Sequence, residues 1–381
     1  MRRIGSAAFV SVLIVTGCLS SDVSLSDDDA DTEAGTDDST GVEDTSSGPG
    51  SSSATGGSTS VGGVTTVAPT TGDEESVCDA TPLRVATFNI EAVSSPGSDP
   101  FVGLAASIAR IGADVVCMQE VNEGEEEWVS DLAEAAGYSV VVLANQSPAI
   151  GGDIYNACIS RIPMELIASY GGSALSSDPS ANDVGRDILA VRVQPEPGCY
   201  AALFTVHLKS GGDYEDLFRR QVEAERLARG VRLYRENRPA DGLIVLGDFN
   251  EQLDDDDLGT SLDEVPPLPE SYELGSDIDI PLRYHPFDVL TTQGFQIAPA
   301  FQEDSADDGT FIGGNFNSRL DYVIYGQALF EGAEVYNACF DNGDDDDPPG
   351  GWLPKEGQPL SCFSSQIASD HLSVFADFVL P

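Results

Sequence analysis

The sequence predicts an α/β sandwich: two packed, mainly antiparallel sheets with helices on the outside. Three observations carry that prediction. Apolar runs of strand length alternate with stretches of helical period along 83–380. Neighbouring strand runs are separated by turn residues, as hairpins require. Six short motifs occur in one order: Phe88-Asn89-Ile90-Glu91, Met118-Gln119-Glu120, His207-Leu208-Lys209-Ser210, Gly247-Asp248-Phe249-Asn250, Arg319-Leu320-Asp321-Tyr322 and Ser369-Asp370-His371. Five end or follow an apolar run and the sixth precedes one, which places their polar groups at one rim of a sheet.

In order, 83–89 (LRVATFN) reads as a strand and 101–111 has apolar residues at helical spacing. Residues 114–120 (DVVCMQE) form an apolar run closed by an acid, a buried strand. A helix is expected over 125–136, and strands over 138–143, 155–160 and 164–169. Residues 187–193 and 200–207 form a hairpin, with Pro195, Pro197 and Gly198 at its turn. A long amphipathic helix covers 213–235, with Leu217, Val222, Leu227 and Val231 as its buried stripe. A strand at 242–246 precedes an acidic, proline-containing insertion at 251–286, in which His285 reads as loop. Strands at 320–325 and 371–380 close the domain.

The chain divides into three parts. Residues 1–18 read as a secretory signal, with a basic start, a short apolar run and small residues before Cys18. Val15-Thr16-Gly17-Cys18 resembles a bacterial lipobox, which implies a lipid on Cys18 and a membrane anchor. Residues 19–76, rich in Ser, Thr, Gly and Asp, cannot bury enough surface to order themselves and read as a disordered tether. Residues 77–381 remain for one large domain. Residues 1–76 hold 13 of the 65 acids and 2 of the 18 bases, leaving the domain 52 acids and 16 bases. Such a charge argues against long basic tracks for DNA, and solvation of an exported protein explains it first. Apart from Cys18, six cysteines suit three disulfides in an oxidising compartment. Cys339 and Cys362 are the expected pair, and Cys117 and Cys158, inside strand runs, are expected as buried thiols.

The motif residues suggest a chemistry. A carboxylate at Glu120, ending a buried strand, is costly unless it faces solvent or binds a cation, and Mg²⁺ takes one or two carboxylates with water and substrate oxygens. Alternation sends Asp248 and Asn250 to one side and Phe249 to the core, so an acceptor stands beside an amide. The alternative there is a plain turn after a strand. Two of the three histidines, His207 and His371, sit at strand ends, where a carboxylate partner would let an imidazole carry charge near neutral pH. Acidic loops at 254–257, 304–308 and 341–347 could take structural Ca²⁺, with Asp341-Asn342-Gly343-Asp344 the best candidate, though none keeps the EF-hand spacing.

The ordered motifs resemble the endonuclease/exonuclease/phosphatase superfamily over about 83–380, Gly-Asp-Phe-Asn and Ser-Asp-His being the most diagnostic. The stretch Asn156-Ala157-Cys158-Ile159-Ser160-Arg161 and the long helix also resemble it. The resemblance implies the DNase I-like four-layer α/β/β/α sandwich. It implies Asn89, Glu91, Glu120 and Asp370 as the metal group for Mg²⁺ or Mn²⁺, with Glu120 the principal ligand. His207, Asp248, Asn250, Asp321 and His371 would be catalytic, Asp248 activating water and Asp321 orienting His371. Asn89, Asn156, Arg186, Lys209 and Asn250 would bind substrate. Lys209, Arg219 and Arg220 could hold a polyanion. The expected function is an exported, metal-dependent phosphodiesterase acting as a monomer, an endonuclease or exonuclease first. A sphingomyelinase-like or inositol-phosphate phosphatase activity and a non-catalytic surface binding module are the alternatives.

Overall fold

The computed structural model describes residues 78–381 apart from 145–153, 239, 254–260, 304, 314–316 and 342–351. The signal, Cys18, the tether, the acids at 254–257 and the acidic run after Asp341 lie outside the described residues. The chain begins with β1 (Thr81–Asn89), α1 (Asp99–Ile111), β2 (Val115–Asn122), α2 (Glu126–Ala136), β3 (Val140–Leu143), β4 (Ile154–Ser160) and β5 (Met164–Gly172). It continues with β6 (Val184–Glu196), β7 (Cys199–His207), α3 (Tyr214–Asn237), β8 (Gly242–Asp248), β9 (Ser261–Leu262) and β10 (Leu282–Arg283). The last elements are α4 (Pro286–Thr291), β11 (Gln296–Ile297), β12 (Phe301–Gln302), β13 (Asp321–Gly326), β14 (Leu329–Tyr336), α5 (Phe363–Ala368) and β15 (Ser373–Leu380).

One sheet runs β12-β14-β15-β1-β2-β4-β3 and the other β11-β13-β8-β7-β6-β5, with β9 and β10 as a separate ribbon. Most neighbours are antiparallel; β1 with β2, β7 with β8 and β12 with β14 are parallel. Leu83, Val85 and Val115 of one sheet meet Leu203, Ile244 and Val323 of the other in a fully buried layer. The outer face of the first sheet packs on Phe101, Leu104 and Ile108 of α1 and Leu132 of α2. That of the second packs on Leu227, Val231 and Tyr234 of α3 and Leu290 of α4. The layer order is therefore helix, sheet, sheet, helix, as expected. Each central strand is buried on both faces, which is why β8 reads as an unbroken apolar run rather than an alternation.

Local chemistry sets the outer helices. Ser98 caps α1 by accepting from the Phe101 N–H at 3.4 Å, and Gly112 ends it in the left-handed conformation. In α3, Val222, Leu227 and Val231 are fully buried as expected, while Leu217 is half-buried at the helix start. The insertion is more ordered than its composition suggests. Leu262, Leu282 and Tyr284 fold back onto Phe218 and Val222 of α3. His285, expected in an open loop, is buried just before α4 against Phe287.

The cysteine pattern brings one correction. Cys117 and Cys158 are not free thiols but a disulfide, because β2 and β4 place them directly opposite one another in antiparallel register. Cys339 pairs with Cys362 as expected, and Cys78 with Cys199.

Candidate active site

Backbone register lines up the site. His207 ends β7 opposite Asp248 of β8, and Asp248 stands opposite Asp321 of β13. From the other sheet, Asn89 ends β1 beside Gln119 of β2, and His371 leads into β15. A buried chain from Thr87 through Gln119 to Thr205 ties the two sheets beneath this rim, at 3.1 and 2.9 Å. Gly247 permits the close approach: its φ is +144°, and a Cβ there would fall 2.1 Å from the Val206 carbonyl oxygen. Among the described residues, six non-glycine positions have left-handed φ, and Glu91, Glu120 and Asn250 are three of them. Half of that strain sits at the site, as expected where side chains must be aimed rather than packed.

The side chains form one network. Asn89 Nδ2 donates to Glu120 Oε1 and to Asp248 Oδ2, each at 3.0 Å, and Asn89 Oδ1 accepts from the Glu91 N–H at 3.1 Å. The Asn250 N–H donates to Asp248 Oδ1 at 2.8 Å. His371 Nδ1 lies 2.7 Å from Asp321 Oδ2, and its Nε2 lies 4.0 Å from Asp248 Oδ2. His207 Nε2 stands 3.5 Å from both Glu120 Oε1 and Asp248 Oδ2. Asn89, His207, Asp248, Asp321 and His371 are buried, whereas the Glu120 side chain is 29% exposed at the mouth. Among the described residues, Glu120, His207 and Asp248, and likewise Asp248, Asp321 and His371, converge closely enough to share an ion. Carboxylate oxygens beside an imidazole are a donor set that suits a divalent metal ion.

Burial splits the protonation states. It raises the Asp248 carboxyl to about 7, with the Asp321 carboxylate adding and the His371 cation opposing. Burial alone would lower His371, but the charge and hydrogen bond of Asp321 reverse it and raise the imidazole to about 10. His207 goes the other way: burial, then the Arg186 and His371 cations, hold it well below its ordinary value. Its two 3.5 Å contacts are ion pairs only for an imidazolium, so we read His207 as a neutral hydrogen-bonding partner.

Other expected residues fall around this network. Glu91 and Asp370 line one pocket with Ser369. Arg186 sits beside His207 and donates to the Leu208 carbonyl at 2.9 Å. Asn250 Nδ2 donates to that same carbonyl at 3.0 Å, so here Asn250 orients Asp248 and the 207–209 turn. Asn156 is buried in β4 and donates to the Asp187 carbonyl, and among the described residues no hydrogen bond joins it to the Asp248 network. Lys209 does not reach the network either; its ammonium binds Asp216 and the Ser210 carbonyl at 2.7 and 2.6 Å. Arg219 and Arg220 are 3% exposed, one over the Tyr272 ring and the other on Glu251, and neither is open to a polyanion. Helix α3 turns both inward, which period alone could not show. Asp341, in the proposed Ca²⁺ loop, gives both carboxylate oxygens to Arg110.

Several contributors were not singled out from the sequence. Ser369 Oγ donates to the Asn89 carbonyl at 2.7 Å and accepts from the His371 N–H at 3.1 Å, joining two motifs. Thr310 Oγ1 accepts from the Leu320 and Asp321 N–H groups. Phe311 packs on the His371 ring at 5.0 Å. Glu223 of α3 accepts from the Gly185 N–H at 3.1 Å and the Lys209 N–H at 2.7 Å. Ser369 lay inside a motif; the others carry no local signal, because their partners are distant in sequence.

The family model described as the endonuclease/exonuclease/phosphatase family matches residues 86–371. No curated protein matches the sequence. Among solved structures, an endonuclease/exonuclease/phosphatase family protein from Bacteroides thetaiotaomicron is 13% identical, covering 79% of this chain and 98% of that one, with a TM-score of 0.49. One from Beutenbergia cavernae is 19% identical, covering 79% and 72%, at 0.47. TDP2 from C. elegans is 14% identical, covering 80% and 76%, at 0.47.

Proposed function

The chain belongs to the endonuclease/exonuclease/phosphatase family of phosphoester hydrolases, and from that premise we propose that it is an exported, Mg²⁺- or Mn²⁺-dependent phosphodiesterase, a nuclease first. The observation that carries this is the unbroken line from Asp321 through His371 and Asp248 to Asn89 and Glu120.

A water held by Asp248 attacks phosphorus in line; Asp248 takes its proton, an O–P bond forms, and the opposite P–O ester bond breaks. The leaving oxygen takes a proton from solvent. His371, kept cationic by Asp321, faces the charge that grows on the phosphoryl oxygens, and His207 supplies a neutral hydrogen bond. Asn89 holds Asp248 and Glu120 in mutual register. Glu120 with Asn89, Glu91 and Asp370 would hold the divalent ion, which when bound supplies Lewis-acid stabilisation of the phosphoryl charge. Three disulfides support an oxidising, extracytoplasmic setting, and the Cys18 lipobox supports a membrane tether.

The deciding experiment compares residues 77–381 with the same protein carrying His371→Ala on plasmid DNA, RNA, sphingomyelin and an inositol polyphosphate, with Mg²⁺ and with EDTA. Cleavage of DNA or RNA that is lost in the variant and in EDTA supports the nuclease. Cleavage of a lipid or inositol substrate instead replaces it with that activity. A folded wild type inert on all four would favour the binding module.

A further inference from the structure

We propose that an arginine-walled recess on the outer side of α3 binds a small anion bearing a multiply charged phosphate group, at a site separate from the Asp248 network. Such binding is independent of any phosphodiesterase activity.

The placement of positive charge points there. All 16 bases of the domain lie within the described residues, and only three of those side chains are exposed: Arg232, Arg235 and Arg283. The others are buried or half-buried, most of them in ion pairs such as Arg84 with Asp377 and Arg220 with Glu251. Among the described residues, none of the three exposed arginines forms an ion pair. All three line two adjoining recesses. One, of about 470 Å³, is walled by Arg232 and Arg283 with Arg226, Arg229, Asp277 and Gln293. The other, of about 460 Å³, shares Arg232 and Gln293 and adds Arg235. Arg229, Arg232 and Arg235 are three residues apart on α3 and so are neighbours on its surface. After α3 the chain enters β8 at Gly242, opposite Ala201, whereas Asp248 stands opposite His207 at the other end of both strands. No wall residue of either recess belongs to the Asp248 network.

The carboxylates nearby do not cancel this charge evenly. Asp277 is fully occupied: its oxygens hold Arg226 and Arg229 at 2.5 and 2.6 Å and accept from the Ser176 hydroxyl and the Ser177 N–H. Asp183 takes the rest of Arg226. Glu225 is half-buried, and burial raises its carboxyl above the ordinary value, toward the neutral form. Asp279 and Glu236 are exposed and solvated. Arg232 and Arg283 are left with open guanidinium groups, and Arg229 keeps the N–H groups that Asp277 does not take. A guanidinium presents a planar fork of donors that matches two oxygens of a phosphate. One carboxylate would fill one fork; several forks around one cavity match a group with several anionic oxygens. Half-buried Ile278 and Pro281 add an apolar side for a small carbon body. The volume falls within the roughly 300–1,000 Å³ usual for small-molecule sites. A domain with 52 acids and 16 bases repels an extended polyanion, so a local arginine cluster suits a compact one.

The test is calorimetric titration of the full chain with pyrophosphate in EDTA, with acetate as the singly charged control. Wild type should bind pyrophosphate and not acetate. The double variant Arg232→Ala with Arg283→Ala should weaken binding at least about tenfold, because both open forks are gone. Arg232→Lys with Arg283→Lys keeps the charge and loses the fork, so its loss should be intermediate. Both positions are exposed, so melting without ligand should be unchanged in either variant. His371→Ala, which removes the imidazole of the catalytic network, should bind pyrophosphate as wild type does. No binding by wild type, equal binding in the alanine variant, or binding lost with His371→Ala would each overturn the site.

Discussion

His371 Nδ1 and Asp321 Oδ2 are 2.7 Å apart, although 50 residues separate them, and each is buried. Asp321 is what makes a buried imidazole cationic. A histidine raised to about 10 contributes stability that is complete below its unfolded value, near 6.5, and lost as pH rises through about 10. Asp321→Asn leaves the burial and removes the charge, so His371 should titrate near or below the free imidazole. Turnover near pH 8 should fall by roughly 10²–10⁴, with partial recovery toward pH 6. The measurement is the nitrogen chemical shift of His371 against pH beside the pH–rate profile; a His371 still protonated at pH 8 would refute the pairing.

Asp248 has the opposite consequence for stability. Its carboxyl is raised to about 7 by burial and by Asp321, so the native state favours the proton. That contribution is complete below about 3.8 and lost as pH rises through about 7. Metal-free wild type should therefore lose melting temperature across that window. Asp248→Asn should flatten the loss and melt higher than wild type near pH 8, at a shift of roughly 2–4 °C per kcal/mol, while turnover disappears. A variant that melts lower at pH 8 would show that the charged carboxylate is held favourably.

Glu223 is a positioning residue. Its two oxygens receive the Gly185 and Lys209 N–H groups, which flank Arg186 and follow His207. Glu223→Gln keeps the shape but one acceptor, stranding a buried N–H at about 1–3 kcal/mol. We expect kcat to fall about tenfold with KM nearly unchanged, because the 207–209 turn loses its register rather than a substrate contact. Equal loss in KM would mean that Glu223 acts on substrate binding.

The disulfides should rank by the loops they close. Cys78 and Cys199 are 121 residues apart, Cys339 and Cys362 only 23. Chain entropy assigns roughly 5 kcal/mol to the first and roughly 3 to the second. Double serine variants at each pair, compared by urea denaturation, should show the larger loss at Cys78–Cys199. The reverse order would place the stabilisation in native contacts instead. Peptide mapping should also find Cys117 joined to Cys158.

Much of the site was legible because its residues end strands whose cores are continuous apolar runs. Asp248 ends β8 as its run predicts, whereas Glu120, expected to close its strand, lies inside β2, where a register shift between Met118 and Val121 and a left-handed φ aim it at the rim. Other features were hidden for physical reasons. Strand β14, covered on one side only by the two-residue β12, carries Gly332 and two glutamates and is half exposed along its first part, so its apolar pattern is weak. Helix α3 buries Arg219 and Arg220 through partners drawn from Glu251 and Tyr272.

The sequence by itself determined the layered α/β architecture, the long helix, the strand-end motifs and the family, because hydrophobic period and short motifs are local properties of the chain. Tertiary structure decided which cysteines pair, which arginines are enclosed, and that burial and neighbours push His371 toward the charged form and His207 toward the neutral one. Those are matters of register and burial: they depend on which distant groups the two sheets bring within about 3 Å, and a carboxylate or imidazole takes its charge state from such neighbours, not from its place in the chain.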